Sequence, residues 1–535
     1  MTNDPGSGAS VSDLTGDSPR QGRVAGASFA ARAGRRIQSV LDALTRRLEN
    51  RKVEYTIWGA LLTALIAFTI FRPLYPNYDT YYALIWGNEI AHGQLPDYSV
   101  FNTPTPHPLF NAYTAVLSLF GGAAIPLLVI ASLAMYVGLL IGVYRMVQLK
   151  IGTLVAFVSV LVLLTRTDLI AFAFRAMLDI PFLAMIIWAA VLELKRPRRG
   201  VAPLVLLAMA GLLRPEAWLL AGMYWLWLAL GVVRPKLKLP GETPSIGRLA
   251  GYAGLVVGAP LIWLGFDWIV TGDPMYSISS TREVAAGLNR QKSLPQSIWL
   301  LPRLIGGSEQ IVNAIAGTLG LGLAVYVLRA RMLILVGLAA TGVLTYLLIA
   351  IAGLSVISRY LVIPSIVMCI GVAFALSGWA QLSGPARRAG VGLAAIALLL
   401  IAVRAPAYVH QGQKLNTSTN HVSVRFNRIY KILEKPAIRA KVARCLPVVA
   451  FTHETVPVIR YMLDLPKDQV PTTTQLDGPP TGGTLLIPTS ALDPLQLTVV
   501  DRALRKPWTG LPQPGFEFEG ENRAWIVYTK CGSGA

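Results

Sequence analysis

The most constraining feature of this sequence is a series of apolar blocks between Thr56 and Val403, many of them as long as a membrane-spanning helix. An α-helix needs roughly 20 apolar residues to cross the hydrocarbon core of a bilayer. Only 14% of the 535 residues are charged, against roughly 25% in soluble domains. We therefore expect a polytopic α-helical membrane protein with about 11–13 transmembrane helices.

Short basic clusters orient these blocks. They lie at residues 195–199, 234–248, 329–331 and 387–388, with two apolar blocks between consecutive clusters. Under the positive-inside rule all of them face the cytoplasm, which explains the net charge of +20 without nucleic-acid binding. We expect a multi-pass protein of the inner (plasma) membrane. Three polar regions then share the outer face: residues 75–107, 271–302 and 404–535.

The number of apolar blocks before Lys195 disagrees with this orientation. An N-terminus and a Lys195 that both face the cytoplasm require an even number of crossings, yet five apolar blocks lie between them. The stretch from Pro108 to Phe120 is short and begins with proline, so we expect a juxtamembrane or re-entrant segment there.

Composition divides the chain into three parts. Residues 1–54 are rich in small residues and then basic, which is typical of a disordered cytoplasmic tail leading into an amphipathic helix. Residues 55–403 form the expected transmembrane domain. Residues 404–535 are expected to form a small extracytoplasmic α/β domain. Its predicted strands lie at 447–451, 484–487 and 524–528, and its predicted helices at 422–433 and 456–463. A disulfide between Cys445 and Cys531 is permitted outside the cytoplasm, but their spacing does not decide it.

The first outer loop, residues 75–107, holds an acid close to the expected membrane boundary. Asp79 follows the first apolar block and stands among Tyr78, Tyr81 and Tyr82. A carboxylate in this position is a candidate catalytic group. The same residues also fit an aromatic belt with a solvated aspartate, and spacing alone does not separate the two interpretations.

Further ionisable residues lie at the outer ends of apolar blocks: Arg175, Asp179, Arg214, Glu216 and Arg359. Such groups at membrane depth are costly and are functional hypotheses by default. Outer arginines also run against the positive-inside tendency, and guanidinium groups suit the phosphate of an anionic lipid headgroup. The alternative is pairing among themselves. Arg175 and Asp179, for instance, are four apart and are expected on one helix face.

Asp79 is followed in order by the motifs HGQLPDY, PTPHPL, RAMLDIPF, LLRPEAW, TGDPMYS and SRYLVIP. This order resembles the GT-C glycosyltransferases, above all the branch that uses polyprenyl-phosphate-linked sugars and includes protein mannosyltransferases and aminoarabinose transferases. The resemblance spans residues 56–365. It implies a GT-C-like fold and inverting transfer of a sugar, mannose or arabinose, from a polyprenyl-phosphate donor. The implied acceptor is an envelope glycan, lipid or protein.

The resemblance also implies residue roles. Asp79 matches the first-loop catalytic aspartate of the family, the general base on the acceptor hydroxyl. The candidates for binding the donor phosphate are Arg175, Arg214, Arg282 and Arg359. The candidates for substrate binding are Tyr81, Tyr82, His107, Asp179, Glu216 and Tyr360. His107 departs from the family pattern, because a single Pro-Leu follows it instead of Pro-Pro-Leu, and its role is open.

No cofactor is expected. Asp79, Glu89, His92 and His107 offer oxygen and nitrogen ligands, but their spacing matches no standard zinc motif. The resemblance leaves a divalent metal as an alternative, since oligosaccharyl transferases of the same superfamily use one and the monosaccharide branch generally does not.

Two other functions compete with glycosyl transfer. A lipid-carrier flippase or transporter is expected to carry repeated halves with helices broken at mid-membrane, whereas the polar residues here crowd the ends of the apolar blocks. A polysaccharide polymerase or ligase of another fold would place its arginines in one late loop. The loop at residues 271–290 is interpreted equally well as a lid or as a solvated amphipathic segment.

Overall fold

The computed structural model describes residues 36, 38–72, 74–237, 239–306, 310–489 and 514–531. Contacts divide the chain into two compact units, Met1–Glu54 and Tyr55–Ala535. In the first unit residues 38–49 are helical. Residues 1–35, most of the expected disordered tail, lie outside the described residues.

Helices make up most of the described chain. In order they are α1 Arg51–Phe71, α2 Tyr78–Ala91, α3 Pro108–Ser118, α4 Ala124–Lys150, α5 Thr153–Leu163, α6 Thr167–Phe174, α7 Asp179–Lys195, α8 Val201–Leu213, α9 Glu216–Val233, α10 Ile246–Thr271, α11 Tyr276–Gly287, α12 Leu294–Gly306, α13 Thr318–Leu328, α14 Leu333–Ile351, α15 Val362–Ser377, α16 Gly384–Leu433, α17 Pro436–Arg444 and α18 Val456–Leu463. A short helical turn, Gln310–Val312, and a π-helical stretch, Asn313–Gly317, precede α13.

Among the described residues, 7 helical segments are long and apolar enough to cross a membrane. An eighth is added if α5 and α6, which meet at a bend of 69°, count as one broken span. One of the segments, Asn313–Ile351, contains both α13 and α14. The polytopic helical architecture is confirmed. Length and composition support fewer spans than the 11–13 expected, partly because α7 and α8 have only 17 and 13 residues.

The helix α3 has 11 residues and is too short to cross a bilayer. It packs closely on α2, because Gly87 leaves room for Thr114 and the backbone of Ala115. Thr114 Oγ1 also donates a hydrogen bond to the carbonyl of Ala83 at 2.6 Å. The first outer loop is thereby organised around a helix pair, which the sequence did not predict.

The centre of the transmembrane part is α15, which is buried along nearly its whole length. Helix α13 approaches it through glycine, since a Cβ on Gly320 would collide with the carbonyl of Gly371. Small residues are the usual means of bringing helices together in lipid, where apolar surface alone gives little drive for association.

The C-terminal residues form a four-stranded sheet in the order β1-β2-β4-β3. The strands are β1 Val448–Ala450, β2 Gly483–Pro488, β3 Glu517–Glu521 and β4 Trp525–Lys530. β1 and β2 are parallel, and the other pairs are antiparallel. The predicted strands and the helix at 456–463 are confirmed. β3 was not predicted, because its sequence EFEGE is mostly acidic.

A disulfide joins Cys445 to Cys531, which the spacing had left open. The last apolar block continues without interruption into the predicted helix at 422–433, so that α16 has 50 residues. It runs through residue 404, where composition placed a domain boundary. The expected division into three domains stays a prediction.

Candidate active site

Asp79 lies in the first turn of α2, whose start is fixed by local hydrogen bonds. Asn77 caps the helix by accepting a hydrogen bond from the Thr80 amide at 3.1 Å. The Asn77 amide donates to the carbonyl of Arg175, and Thr80 Oγ1 donates to the carbonyl of Ala176, both at 3.1 Å. These bonds hold the start of α2 against the turn between α6 and α7. An acid in the first turn also suits the helix dipole.

Arg359 links Asp79 to a second carboxylate. It lies in the 3-10 helix Ser358–Leu361, just before α15. Its Nη1 donates to Asp79 Oδ2 at 3.3 Å. Its Nη2 and Nε donate to the two oxygens of Asp179 at 2.6 and 3.2 Å. One guanidinium group therefore joins the starts of α2, α7 and α15, and it holds Asp179 in the bidentate geometry that favours arginine.

Arg214 is the second arginine that binds Asp179. Because the residue before a proline is pushed out of the α region, α8 ends at Leu213 and Arg214 is extended, with φ −152° and ψ 131°. Its Nη1 pairs with Asp179 Oδ1. Its Nε and Nη2 donate to Glu216 Oε1 at 3.0 and 2.7 Å. The LLRPEAW motif thus forms a tight turn that holds an arginine between two acids.

The three carboxylates of this ion-pair network differ in access. The side chain of Asp79 is 29% exposed, against 2% for Asp179 and 11% for Glu216. Asp179 pairs with two arginines, whereas among the described residues Asp79 forms one ion pair, at 3.3 Å. Of the three, Asp79 is the carboxylate that an approaching hydroxyl group can reach.

His107 lies at the edge of the network, before α3. Its ring packs edge-on against Trp263, with centroids 5.6 Å apart. Its Nδ1 is buried without a hydrogen-bond partner among the described residues. Desolvation, together with the charges of Arg214 and Arg359, lowers the pKa of His107 from 6.5 to about 3. The ring is therefore neutral near pH 7 and offers no positive charge to a phosphate.

A cavity adjoins the two arginines, and its walls include Tyr360, Thr341 and Thr345. The guanidinium of Arg214 lies 4.8 Å from the centroid of the Tyr360 ring, an arrangement typical of a cation–π contact. The two threonines were missed in the sequence. They stand four apart in an apolar block and so share one helix face, which is the signal that could have found them.

Arg175 is close to Asp79 through the backbone but takes no part in the ion pairs. Its Nη2 donates to Ser418 Oγ at 3.0 Å. Arg175 follows the end of α6 and Asp179 begins α7, with a left-handed residue, Ala176 at φ 49°, between them. The expectation that Arg175 and Asp179 share one helix face is therefore wrong. Among the described residues no ion pair joins the two.

Arg282, Tyr81 and Tyr82 lie apart from the network. Arg282, on α11, donates from Nε to the carbonyl of Ala352 at 3.1 Å. Tyr81 is fully buried, with its hydroxyl 3.4 Å from that of Tyr430. Tyr82 is also buried, one helical turn after Asp79. The substrate and phosphate roles implied for these residues stay predictions.

The four sequence candidates for a metal shell do not form a cluster. Glu89 contacts Arg460 at 3.6 Å, and His92 Nδ1 lies 2.8 Å from the carbonyl of Asn88. Across the described ranges, no group of three or more His, Cys, Asp or Glu side chains could hold a metal ion. Metal dependence stays a prediction.

Comparisons with known proteins bear on the fold. No protein-family model and no curated protein matches the chain. The chain is similar to the crystal structure of ArnT from Cupriavidus metallidurans bound to undecaprenyl phosphate, with a TM-score of 0.52 and 16% identity over 90% of this chain and 98% of that one. The apo state of ArnT gives 0.48 and 18% over 89% and 98%. The first similarity shows that the chain has an ArnT-like fold, as the resemblance to the aminoarabinose transferases implied.

Proposed function

We propose that the chain is an inverting glycosyltransferase that moves a sugar from a polyprenyl-phosphate donor to an acceptor hydroxyl. One observation carries the proposal: Asp79, the accessible carboxylate of the network, contacts Arg359, which Asp179 fixes from the other side. A general base and a cation for the leaving phosphate then stand beside each other, as this chemistry requires.

The contacts suggest how the groups work together. The acceptor oxygen attacks the anomeric carbon while its proton passes to Asp79. The bond from that carbon to the phosphate oxygen breaks, and the polyprenyl phosphate leaves with the electron pair. A phosphate that binds Arg359 competes with Asp79 for Nη1, which frees the carboxylate for the acceptor. Arg214 acts indirectly on the reaction, because it positions Asp179, which in turn positions Arg359.

The fold and the position of the site support this proposal. The ArnT structure of similar fold contains undecaprenyl phosphate, which favours a polyprenyl-phosphate carrier here. Helices α7 and α9 each run from the ion-pair network to a basic cluster, at Lys195 and Arg234 respectively. By the positive-inside rule this supports an active site on the outer face of the membrane.

The finer features of the proposal come from the sequence. We propose mannose or arabinose as the sugar and an envelope glycan, lipid or protein as the acceptor, at the outer face of the inner (plasma) membrane. Residues 55–403 form the transmembrane domain and residues 404–535 an extracytoplasmic domain. No metal or other cofactor takes part. Arg175 and Arg282 are secondary candidates for the donor phosphate.

The test uses the purified protein with a panel of radiolabelled polyprenyl-phosphate sugars and isolated cell envelope as the source of acceptors. We expect label transfer or slow donor hydrolysis by the wild type and by Asp477→Asn, an exposed acid outside the network. Asp79→Asn should lose both activities. Equal turnover by the wild type and Asp79→Asn would remove Asp79 from its role. Donor that crosses a vesicle membrane without being consumed would favour the flippase alternative.

A further inference from the structure

A second cleft lies outside the ion-pair network, between the first outer loop and the C-terminal residues. One wall is formed by residues 99–101, and the other by His453 and the segment 467–475. Tyr82 also lines the cleft. Its volume is ≈ 230 Å³ and it is open to solvent; this is somewhat below the range of about 300–1,000 Å³ typical of sites for drug-sized ligands.

Two ion pairs hold the walls together. Lys467 Nζ lies 3.0 Å from Asp97 Oδ2 and also binds Ser99 Oγ. Arg460 Nη2 lies 3.6 Å from Glu89 Oε1. Both pairs join the first outer loop to residues more than 350 positions later in the sequence. The two walls of the cleft are therefore held together by tertiary contacts.

Tyr82 links the cleft to the helix that carries Asp79. Tyr82 follows Asp79 by three positions on α2, so the two side chains lie on neighbouring parts of one helix face. Tyr78, next to Asp79, packs its ring 5.3 Å from the ring of His453 and donates its hydroxyl to the carbonyl of Phe101 at 3.1 Å. The wall of the cleft at Tyr82 is therefore about one helical turn from Asp79 along α2.

The lining combines aromatic rings with neutral polar groups and two charged side chains of opposite sign, Lys467 and Asp468. Phe101 and His453 have ring centroids 6.4 Å apart. Gln475 uses its Oε1 to accept hydrogen bonds from the Thr472 amide and hydroxyl, both at 3.0 Å, which leaves its amide nitrogen as a donor. The charge of Lys467 is balanced by Asp97. Such a surface suits a neutral ligand that has both apolar faces and many hydroxyl groups.

Other classes of ligand fit less well. No lining residue belongs to a candidate membrane span of the described chain, so a lipid tail would lie in water. A peptide that binds by adding a strand to a sheet needs a free strand edge. The outer edge of β1 is covered here, because Ala450 exchanges hydrogen bonds with Pro471 and Thr473 at 2.9 and 3.0 Å.

We infer that this cleft binds the carbohydrate part of the acceptor, a short chain of neutral sugars, and directs its terminal hydroxyl to Asp79. The inference rests on the proposed glycosyltransferase function and narrows its acceptor to a glycan or glycolipid. It assigns Phe101 to the apolar face of a sugar ring and Gln475 to its hydroxyl groups.

The test measures binding directly, by saturation-transfer NMR between the full-length protein in detergent and oligosaccharides released by mild acid from the envelope of the source cells. Two variants alter the cleft: Phe101→Ala removes an aromatic wall, and Gln475→Trp fills the cleft from an exposed position. Each should weaken binding about tenfold, as truncation or obstruction of a binding anchor typically does. Asp477→Asn should bind as the wild type does.

Asp79→Asn separates this inference from the proposed function. Asp79→Asn should lose sugar transfer but keep oligosaccharide binding. If the wild type itself binds oligosaccharide but transfers no sugar, the result counts against the proposed function and leaves the binding inference standing. The inference is overturned if the wild type binds no oligosaccharide of the pool, or if folded Gln475→Trp binds the pool as well as the wild type. It is also overturned if a pool of threonine-containing peptides binds in the cleft instead.

Discussion

Arg359 and Asp79 stand 280 positions apart in the sequence, and their side chains meet at 3.3 Å at one end of the helix bundle. Arg359 binds Asp79 through one hydrogen bond and Asp179 through two. Arg359 is therefore anchored by Asp179 and can exchange Asp79 for another anion. Asp79 and Asp179 look alike in the sequence, but this difference in hydrogen bonding gives them separate roles: Asp179 positions Arg359, and Asp79 is available for the reaction.

Arg359→Lys should impair the reaction while preserving the charge. A lysine ammonium cannot reproduce the planar fork that joins Asp79 and Asp179. We expect the affinity for undecaprenyl phosphate to fall about ten- to a hundredfold, since a hydrogen bond to a charged group is worth about 1.5–3 kcal/mol. Titration calorimetry in detergent measures the affinity, with Arg290→Lys as the control for an exposed arginine. Wild-type affinity in Arg359→Lys would mean that Arg359 is structural.

Arg214→Ala should act mainly on stability. Its guanidinium is 7% exposed and pairs with Asp179 and Glu216. Without it Glu216 would be left as a shielded, unpaired charge, and Asp179 would keep Arg359 alone. Removing one partner of a buried ion pair lowers the free energy of unfolding by about 3–5 kcal/mol. We expect a lower thermal unfolding midpoint in detergent, partly restored when Glu216→Gln is added. Arg290→Ala serves as the control, and an unchanged midpoint in Arg214→Ala would contradict the buried role.

The sequence predicted much of this site because membrane burial makes charge conspicuous. Asp79, Asp179, Arg214, Glu216 and Arg359 stood out as ionisable residues at the ends of apolar blocks, and the structure brings all five together. The pairing scheme was not predictable from spacing. Arg214 and Arg359 meet Asp179 through tertiary packing, while Arg175 faces away because of the left-handed turn at Ala176.

The same distinction applies to the fold: features with local causes were predicted from the sequence, and features that depend on long-range packing were not. The length of the apolar blocks predicted the helices, and short strand-like runs predicted β1, β2 and β4. The helix pair of α2 and α3 was not predicted, because α2 has only 14 residues and holds no apolar block long enough to span a membrane, and because its packing depends on Gly87. The length of α16 was hidden too, because its apolar signal ends long before the helix does.

His107→Gln should reduce the loss of stability in acid. The folded-state pKa of His107 is about 3, against 6.5 for a free side chain. Between these values the unfolded chain binds a proton that the folded chain does not, so stability present above pH 6.5 is lost as the pH falls. Glutamine removes this contribution. We expect the unfolding midpoint to drop less between pH 7.5 and about 5 in His107→Gln than in the wild type. Equal drops would mean that His107 titrates normally.

Gly320→Ala should weaken the packing of α13 on α15. The added Cβ would collide with the carbonyl of Gly371 and lie 3.0 Å from the Cβ of Ala375, and overpacking of this kind typically costs about 1–3 kcal/mol. Gly322 is the matched control, because it lies in the same helix and a Cβ there meets nothing within 4 Å. Gly322→Ala should be neutral or slightly stabilising, since alanine favours a helix by about 1 kcal/mol over glycine. Unfolding midpoints of the two variants in detergent should therefore move apart, and a common shift would mean that α13 and α15 are not held together at Gly320.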